Sequence, residues 1–396
     1  MGDQKKGSTE FISTFELERR WSEVRKKMKE EKIDVLVIQN DNEWYGGYVK
    51  WFTDIPGKGG SPFTVIFPLD DEMTTITHGG KPPGDFGPPA GAMRGVKKRL
   101  TAPFFRSLTY SITYDAELAA EALKIKKKGK IGIVGKGSIS AAFYEHLKKS
   151  LQEATFADAT DLVDQIKAIK SDEEIDQIKK TAALQDEVIE YAKKVIQPGK
   201  RDFEIIADLI HKAIYLGSQE QLVMGSSGPL GTPVTLKRRQ FQNRVVREGD
   251  QFTLLVEVNG PAGMYTEIGR VFFVGKVPSE LYETNERCKE AQEVTLKLLK
   301  PGADPGELWR ANNEFLVPKG FFPETRLYAH GQGYDLVERP AIRDDEPMKL
   351  KARMNITVHP ITATEKVWVW LCDNYLITDS GISPCLHKTP KEIFSV

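Results

Sequence analysis

The chain of 396 residues is predicted to be an α+β protein in which helices pack on one face of a curved antiparallel sheet, preceded by a smaller α/β domain. Three features predict it. Strand-like runs alternate with helical patterns up to residue 165, as in a mixed or parallel sheet covered by helices. At AIKSDEEIDQIKKTAALQDEVIEYAKKVIQPG the character changes to a long amphipathic helix, so domains are expected at 1–165 and 166–396. Residues 249–274 then read as a β-hairpin, followed by two helices and a strand-rich tail.

In order, residues 10–30 carry Phe15, Leu17, Trp21, Val24 and Met28 at helical spacing with charges between them. IDVLVIQ (33–39) and FTVIFP (63–68) are apolar runs of strand length. Between them, DNEWYGGYVKWFTDIPG gathers Trp44, Tyr45, Tyr48, Trp51 and Phe52. That stretch reads either as a core corner or as an aromatic wall for a small ligand, with Lys50 or Asp54 as its polar contact. The Pro/Gly-rich residues 81–95 read as a long surface loop or lid. A helix (115–126), the strand IGIVG (131–135) and a helix (138–151) follow; Gly135 and Gly137 lack the third glycine of a dinucleotide loop. In the second domain Ser171 caps the long helix, Glu174 closes a capping box, and Pro198-Gly199 stops it. Residues 201–217 form another helix, on which His211 is expected as a packed histidine. Two more helices are expected at 279–302 and 305–320, and strands from 324 onward.

The hairpin carries the sharpest chemistry. Strands at 252–258 and 264–274 flank an Asn-Gly-Pro-Ala-Gly turn centred on Ala262, which sets Glu257 opposite Glu267. Opposed residues share a face with Cβ atoms roughly 5 Å apart, where like charges repel. The apolar neighbours Leu255, Val256, Val258 and Ile268 leave little water to screen them. A cation, a shared proton or a cationic ligand would settle the pair; an edge hairpin with both glutamates in water is the alternative. Downstream, His330 stands beside glycines in YAHGQGYDLVERP, His359 ends NITVHP, and Cys372 and Asp373 lie in KVWVWLCDNYLIT. Alternation places Trp368, Trp370 and Cys372 on one face and Val367, Val369, Leu371 and Asp373 on the other. Carboxylates, imidazoles and a thiolate together suit a transition metal.

Composition narrows the setting. Lys+Arg and Asp+Glu both number 56, so no net field favours nucleic acid or a membrane surface. No apolar run approaches the roughly 20 residues of a membrane span, and the MGDQKKGSTEF start lacks the apolar core of a secretory signal. Three widely spaced cysteines, Cys288, Cys372 and Cys385, argue for a reducing cytoplasm over a disulfide framework.

Five landmarks in order carry a resemblance: IKSDEEIDQIKKTAA; REGDQFTLLVEVNG with GMYTEIGRVFFVG; LLKPGADPGELW; AHGQGYDLVERP; and MNITVHPITA followed by LCDNYLITDSG. Over its second domain the chain resembles the pita-bread fold of the creatinase/prolidase/aminopeptidase P family. The residues before it resemble that family's smaller creatinase-like N-terminal domain. The resemblance implies a hydrolase or lyase, commonly a homodimer whose N-terminal domain reaches the partner's site; WYGGYVKWF and 81–95 would then help cover the pocket. The family's metallopeptidases hold two metals on two hairpin aspartates, a histidine and two late glutamates. Those positions fall here on Glu257, Glu267, His330, His359 and Cys372, with Asp373 at the aspartate that follows. Histidines that help bind and protonate the peptide fall on Val234 and Val337, while Glu338 and Pro340 of the latter pattern remain.

With one of those five ligands kept by type, the expectation is a creatinase-like non-peptidase enzyme acting on a small-molecule substrate. It would cleave a C–N or related bond of a small polar, cationic or zwitterionic molecule by acid/base or single-metal catalysis. Glu257, Glu267, His330 and His359 are the expected catalytic groups, and Trp44, Tyr48, Lys50 and Glu338 the expected substrate contacts. The candidate ligands for at most one divalent transition metal are Glu257, Glu267, His330, His359, Cys372 and Asp373. The alternatives are a metal-dependent Xaa-Pro dipeptidase or aminopeptidase, and a non-catalytic pita-bread binding module.

Overall fold

The computed structural model describes residues 10–42, 44–45, 47–57, 61–79, 92–103 and 113–396, the side chain of Ile125 excepted. Most of the 81–95 segment read as a lid lies outside the described residues. The chain divides into two units, Phe11–Lys167 and one built from Ala168–Val396.

In the first unit, α1 (Thr14–Glu31) starts where the Ser13 side chain accepts the Glu16 N–H. It buries Leu17, Trp21, Val24 and Met28, whereas Phe15 is exposed. Next come β1 (Val35–Asn40), α2 (Tyr48–Thr53), β2 (Phe63–Pro68), β3 (Met73–His78), β4 (Val96–Ala102), α3 (Tyr114–Leu123), β5 (Lys130–Val134), α4 (Ala141–Ser150), β6 (Thr155–Asp158) and α5 (Thr160–Lys167). The strands form one mixed sheet in the order β4-β3-β2-β1-β5-β6. The sequence pattern misses β4 and β6 because both are edge strands facing solvent; VKKRLTA carries three exposed charged residues in a row. In α2, Trp51 and Phe52 are buried, while Trp44 and Tyr45 before it are exposed.

The second unit contains α6 (Asp172–Val195), α7 (Asp202–Tyr215), β7 (Gln221–Pro229), β8 (Asp250–Asn259), β9 (Tyr265–Phe273), α8 (Ser279–Leu296) and α9 (Pro305–Leu316). Then follow β10 (Ala329–Gly331), β11 (Glu338–Ile342), β12 (Asn355–Val358), β13 (Ile361–Ala363), β14 (Trp368–Trp370), β15 (Asp373–Leu376) and β16 (Phe394–Ser395). One four-stranded sheet runs β16-β9-β8-β7 and another β11-β10-β12-β15. Helices α6 and α7 bury Val188, Ile189, Ile205 and Leu209 against Phe252, Val256 and Ile268 of the first sheet. Leu308 of α9 packs with Tyr328, Ile342, Ile356 and Val358 beside the second.

The capping box is present: Ser171 Oγ accepts the Glu174 N–H at 3.1 Å, and the Glu174 carboxylate accepts the Ser171 N–H at 2.8 Å. Ser171→Ala is therefore expected to lower unfolding stability by about 1 kcal/mol, measured as a lower urea midpoint at unchanged slope. An unchanged midpoint would count against it. His211 is exposed, not packed as expected. Ile205, Leu209 and Ala213 take the buried stripe of α7 at four-residue spacing, and His211 falls between them on the other face. Strand β7 carries no strand-like pattern in sequence because QLVMGSSGP is rich in Gly, Ser and Pro. Nine of its residues nevertheless pair with β8, and a Cβ at Gly225 would come 2.7 Å from the Thr253 carbonyl oxygen.

Candidate active site

Glu257 and Glu267 are Cα partners in the β8–β9 ladder, as the turn geometry requires. Both are buried, at 6% and 2% exposure, and β8 is flanked by β7 on its other side, so the hairpin is not an edge in water. The two sheets meet where Gly269 and Cys372 exchange backbone hydrogen bonds of 3.1 and 3.3 Å. A Cβ at Gly269 would sit 3.0 Å from Cys372 Cβ and 3.1 Å from Trp370 Cδ1, so this close seam needs a glycine. The seam brings the end of β14 and the start of β15 over Glu267, whose N–H donates to Asn374 Oδ1 at 2.8 Å.

His330 comes from β10, the strand between β11 and β12, and His359 follows β12 directly. Their rings are 5.2 Å apart, and His359 lies 5.7 Å from Trp370. The His330 Nδ1 is 3.0 Å from the Gly331 carbonyl oxygen. A carbonyl only accepts, so Nδ1 carries a proton and Nε2 is the ring atom turned to the site. Nε2 faces Glu267 Oε2 at 3.5 Å. Among the described residues, Glu267 Oε2 is buried without a hydrogen-bond partner, as is His359 Nδ1.

Donor atoms of Glu267, His330 and His359 all lie within 4.8 Å of one another. Two imidazoles and one glutamate form the donor set of mononuclear catalytic zinc sites, which leave a position open for water. The family resemblance implies a metal, and these three residues fit one. Burial pushes the His359 imidazole down to about 4, so it is neutral near pH 7 and its lone pair is free to bind. Burial would raise the Glu267 carboxyl, but the neighbouring His330, His359 and Cys372 together hold it below the ordinary value. Glu257 moves the other way: burial, and then the Glu267 charge, push it well above the ordinary range. Of the facing pair, Glu257 is therefore the one that takes up a proton more readily.

The other expected ligands do not join this set. Cys372 Sγ lies 3.0 Å from Thr357 Oγ1 and 3.6 Å from the Glu267 carbonyl, and burial drives its thiol well above the usual range, so it is not a thiolate. Asp373 points to the opposite face and pairs with Arg270 at 2.7 Å. It also forms a second tight group with Cys385 and His387. The Arg270 guanidinium, with Lys391 Nζ 4.0 Å from Asp373 Oδ2, already supplies positive charge there, which disfavours a metal cation. Glu257 accepts from Gln332 Nε2 at 2.8 Å and lies outside the three-donor group.

The expected substrate contacts are dispersed. Glu338 is bound by Lys170 Nζ at 2.6 Å and by the Tyr334 N–H at 2.8 Å, an internal ion pair. The glycines near His330 serve packing rather than ligand approach: a Cβ at Gly331 would meet the Arg339 carbonyl oxygen at 2.6 Å. In the first unit, Trp44 is exposed, Lys50 is buried near Asp54, and the Tyr48 hydroxyl donates to Asp164 at 2.8 Å. Sequence reasoning missed Gln332, Asn355 and Asn374, which join the two glutamates. Polar amides inside the apolar strands AHGQG, NITV and DNYL are the signal that would have found them.

The sequence profile of metallopeptidase family M24 matches residues 176–379. An uncharacterized hydrolase/peptidase of Sinorhizobium fredii is 28% identical over 273 residues, 65% of this chain and just under two thirds (66%) of that protein. The Xaa-Pro dipeptidase of Pyrococcus furiosus is 25% identical over 272 residues, 68% of this chain and 76% of that one. The crystal structure of the X-Pro aminopeptidase of Thermotoga maritima superposes with a TM-score of 0.78 at 21% identity, covering 95% of this chain and 99% of that one. The fold is thus the pita-bread fold. The expectation of a creatinase-like non-peptidase is corrected by these relatives, among which Xaa-Pro dipeptidases recur. Counting which ligands kept their type misled, because a three-donor site can be rebuilt from other residues.

Proposed function

Because the chain belongs to metallopeptidase family M24, we propose that it is a metal-dependent dipeptidase, with Xaa-Pro dipeptides as the first substrates to test. The observation that carries this reading is the Glu267–His330–His359 group, in which Glu267 Oε2 and His359 Nδ1 are buried without hydrogen-bond partners among the described residues. A divalent ion held there would supply a Lewis acid for the scissile carbonyl and a water acidic enough to attack near pH 7. Glu267 provides the negative charge of the donor set, and His330 is aimed by its Nδ1–H bond to Gly331. Peptide hydrolysis also needs a proton for the leaving amine. With Val234 and Val337 at the family's histidine positions, Glu257 is the group assigned to carry that proton. Trp370, packed beside His359, clusters with the buried Leu255 and Cys372 and gives the imidazole an apolar neighbour.

The test is hydrolysis of a dipeptide panel by the purified chain. Treatment with a chelator is expected to abolish cleavage and re-addition of a divalent metal to restore it. Metal-loaded protein that cleaves no dipeptide, or cleavage indifferent to chelation, would overturn the reading.

A further inference from the structure

Two carboxylates facing each other in a buried ladder are held apart from charge repulsion by whatever fills the space around them. At Glu257 the orientation of that filling follows from one backbone group. The Glu267 N–H only donates, so the Asn374 atom bonded to it at 2.8 Å is the amide oxygen. The Asn374 NH2 then faces away, donating to Gln332 Oε1 at 2.8 Å and to Asn355 Oδ1 at 3.2 Å. With its oxygen so engaged, Gln332 turns its own NH2 toward Glu257 Oε1 at 2.8 Å. The Asn355 NH2 closes the network on the Gln332 carbonyl at 3.2 Å. All four side chains are buried. The chain of amides therefore presents the positive end of an N–H to Glu257 Oε1 and takes up a lone pair that a cation on that oxygen would use.

We propose that the site takes a single divalent ion on the imidazole side of Glu267, and that the Gln332–Asn374–Asn355 amides hold Glu257 in place of a second ion. Gln332 and Asn374 are positioning residues: they act through the two glutamates. The inference rests on the metal-dependent reading of this site, but not on the peptide substrate.

The full chain, stripped with a chelator and freed of it, is titrated with Zn²⁺ by calorimetry, with elemental analysis of the gel-filtered product. One equivalent per chain is expected. Glu257→Gln, which keeps shape and can still meet Gln332, is expected to bind one equivalent within roughly tenfold of the parent affinity. His359→Ala is expected to weaken binding by roughly 100-fold or more, since loss of even an outer contact to a ligand commonly costs 10–100-fold. Circular dichroism confirms folding of both variants. Two equivalents of similar affinity in the parent chain, or a loss in Glu257→Gln as large as in His359→Ala, would overturn the proposal. One equivalent bound by a chain that cleaves no dipeptide supports it while refuting the dipeptidase reading.

Discussion

Glu267→Gln is expected to lower kcat/KM for dipeptide hydrolysis by more than roughly 100-fold, the upper end of what loss of an outer contact to a metal ligand commonly costs. The substitution removes the one negative charge of the three-donor group. It leaves intact the backbone N–H bond to Asn374 that anchors this part of β9. The variant should still fold, with a midpoint no higher than the parent's, because a carboxyl held below its ordinary value stabilises the folded state. Activity and a thermal melt are measured on the same preparation. Parent-like turnover in the folded variant would take Glu267 out of the mechanism.

Arg270→Met is expected to have the largest effect on stability, roughly 3–5 kcal/mol, the usual result of removing one partner of a buried ion pair. The Arg270 and Asp373 side chains are 1% and 0% exposed. Besides Asp373, the guanidinium donates to the carbonyls of Gly269, Cys372, Thr389 and Pro390 at 2.8 to 3.0 Å. It therefore ties β9, the seam at Cys372 and the residues near the C-terminus to one another, and methionine satisfies none of these acceptors. Burial alone would raise the Asp373 carboxyl, but Arg270, helped by His387, holds it far below the ordinary range. The sign follows: a carboxyl depressed in the folded state stabilises it above the unfolded value of about 4, and that contribution fades as the pH falls below it. In Arg270→Met, burial governs Asp373 and raises its carboxyl, so the variant's deficit should be largest above about pH 4 and shrink as the pH falls, leaving a flatter acid limb than the parent's. Urea unfolding as a function of pH measures both effects. A loss under roughly 1 kcal/mol, or an unchanged acid limb, would show that this pair is not the fastening described.

Much of this was legible in the residues. The Asn-Gly-Pro-Ala-Gly turn fixes the register that sets Glu257 against Glu267, because a hairpin's pairing follows from its turn. The capping box at Ser171 marks a helix start through local hydrogen bonds. Alternation places Cys372 with Trp370 and Leu255, and Leu371 with Val369 and Val271. Edge strands such as β4 escape because their side chains are solvated and carry no period. Strand β7 escapes because its glycines and serines serve close packing rather than a turn. At the site, sequence order gave six candidate ligands but not which of them point at one place. Asp373 and Cys372 are neighbours in the chain, yet the pleat turns one to Arg270 and the other to Thr357. The amide chain through Gln332 joins residues 75 and 42 positions apart, and no local pattern announces such a link.

The most direct measurement is anomalous diffraction at the zinc edge from crystals of the zinc-loaded chain. One peak per chain is expected, bounded by the Glu267 carboxylate and the His330 and His359 imidazoles, with Glu257 still bonded to Gln332. A peak between Glu257 and Glu267, or one at Asp373, Cys385 and His387 with none at the imidazoles, would contradict it.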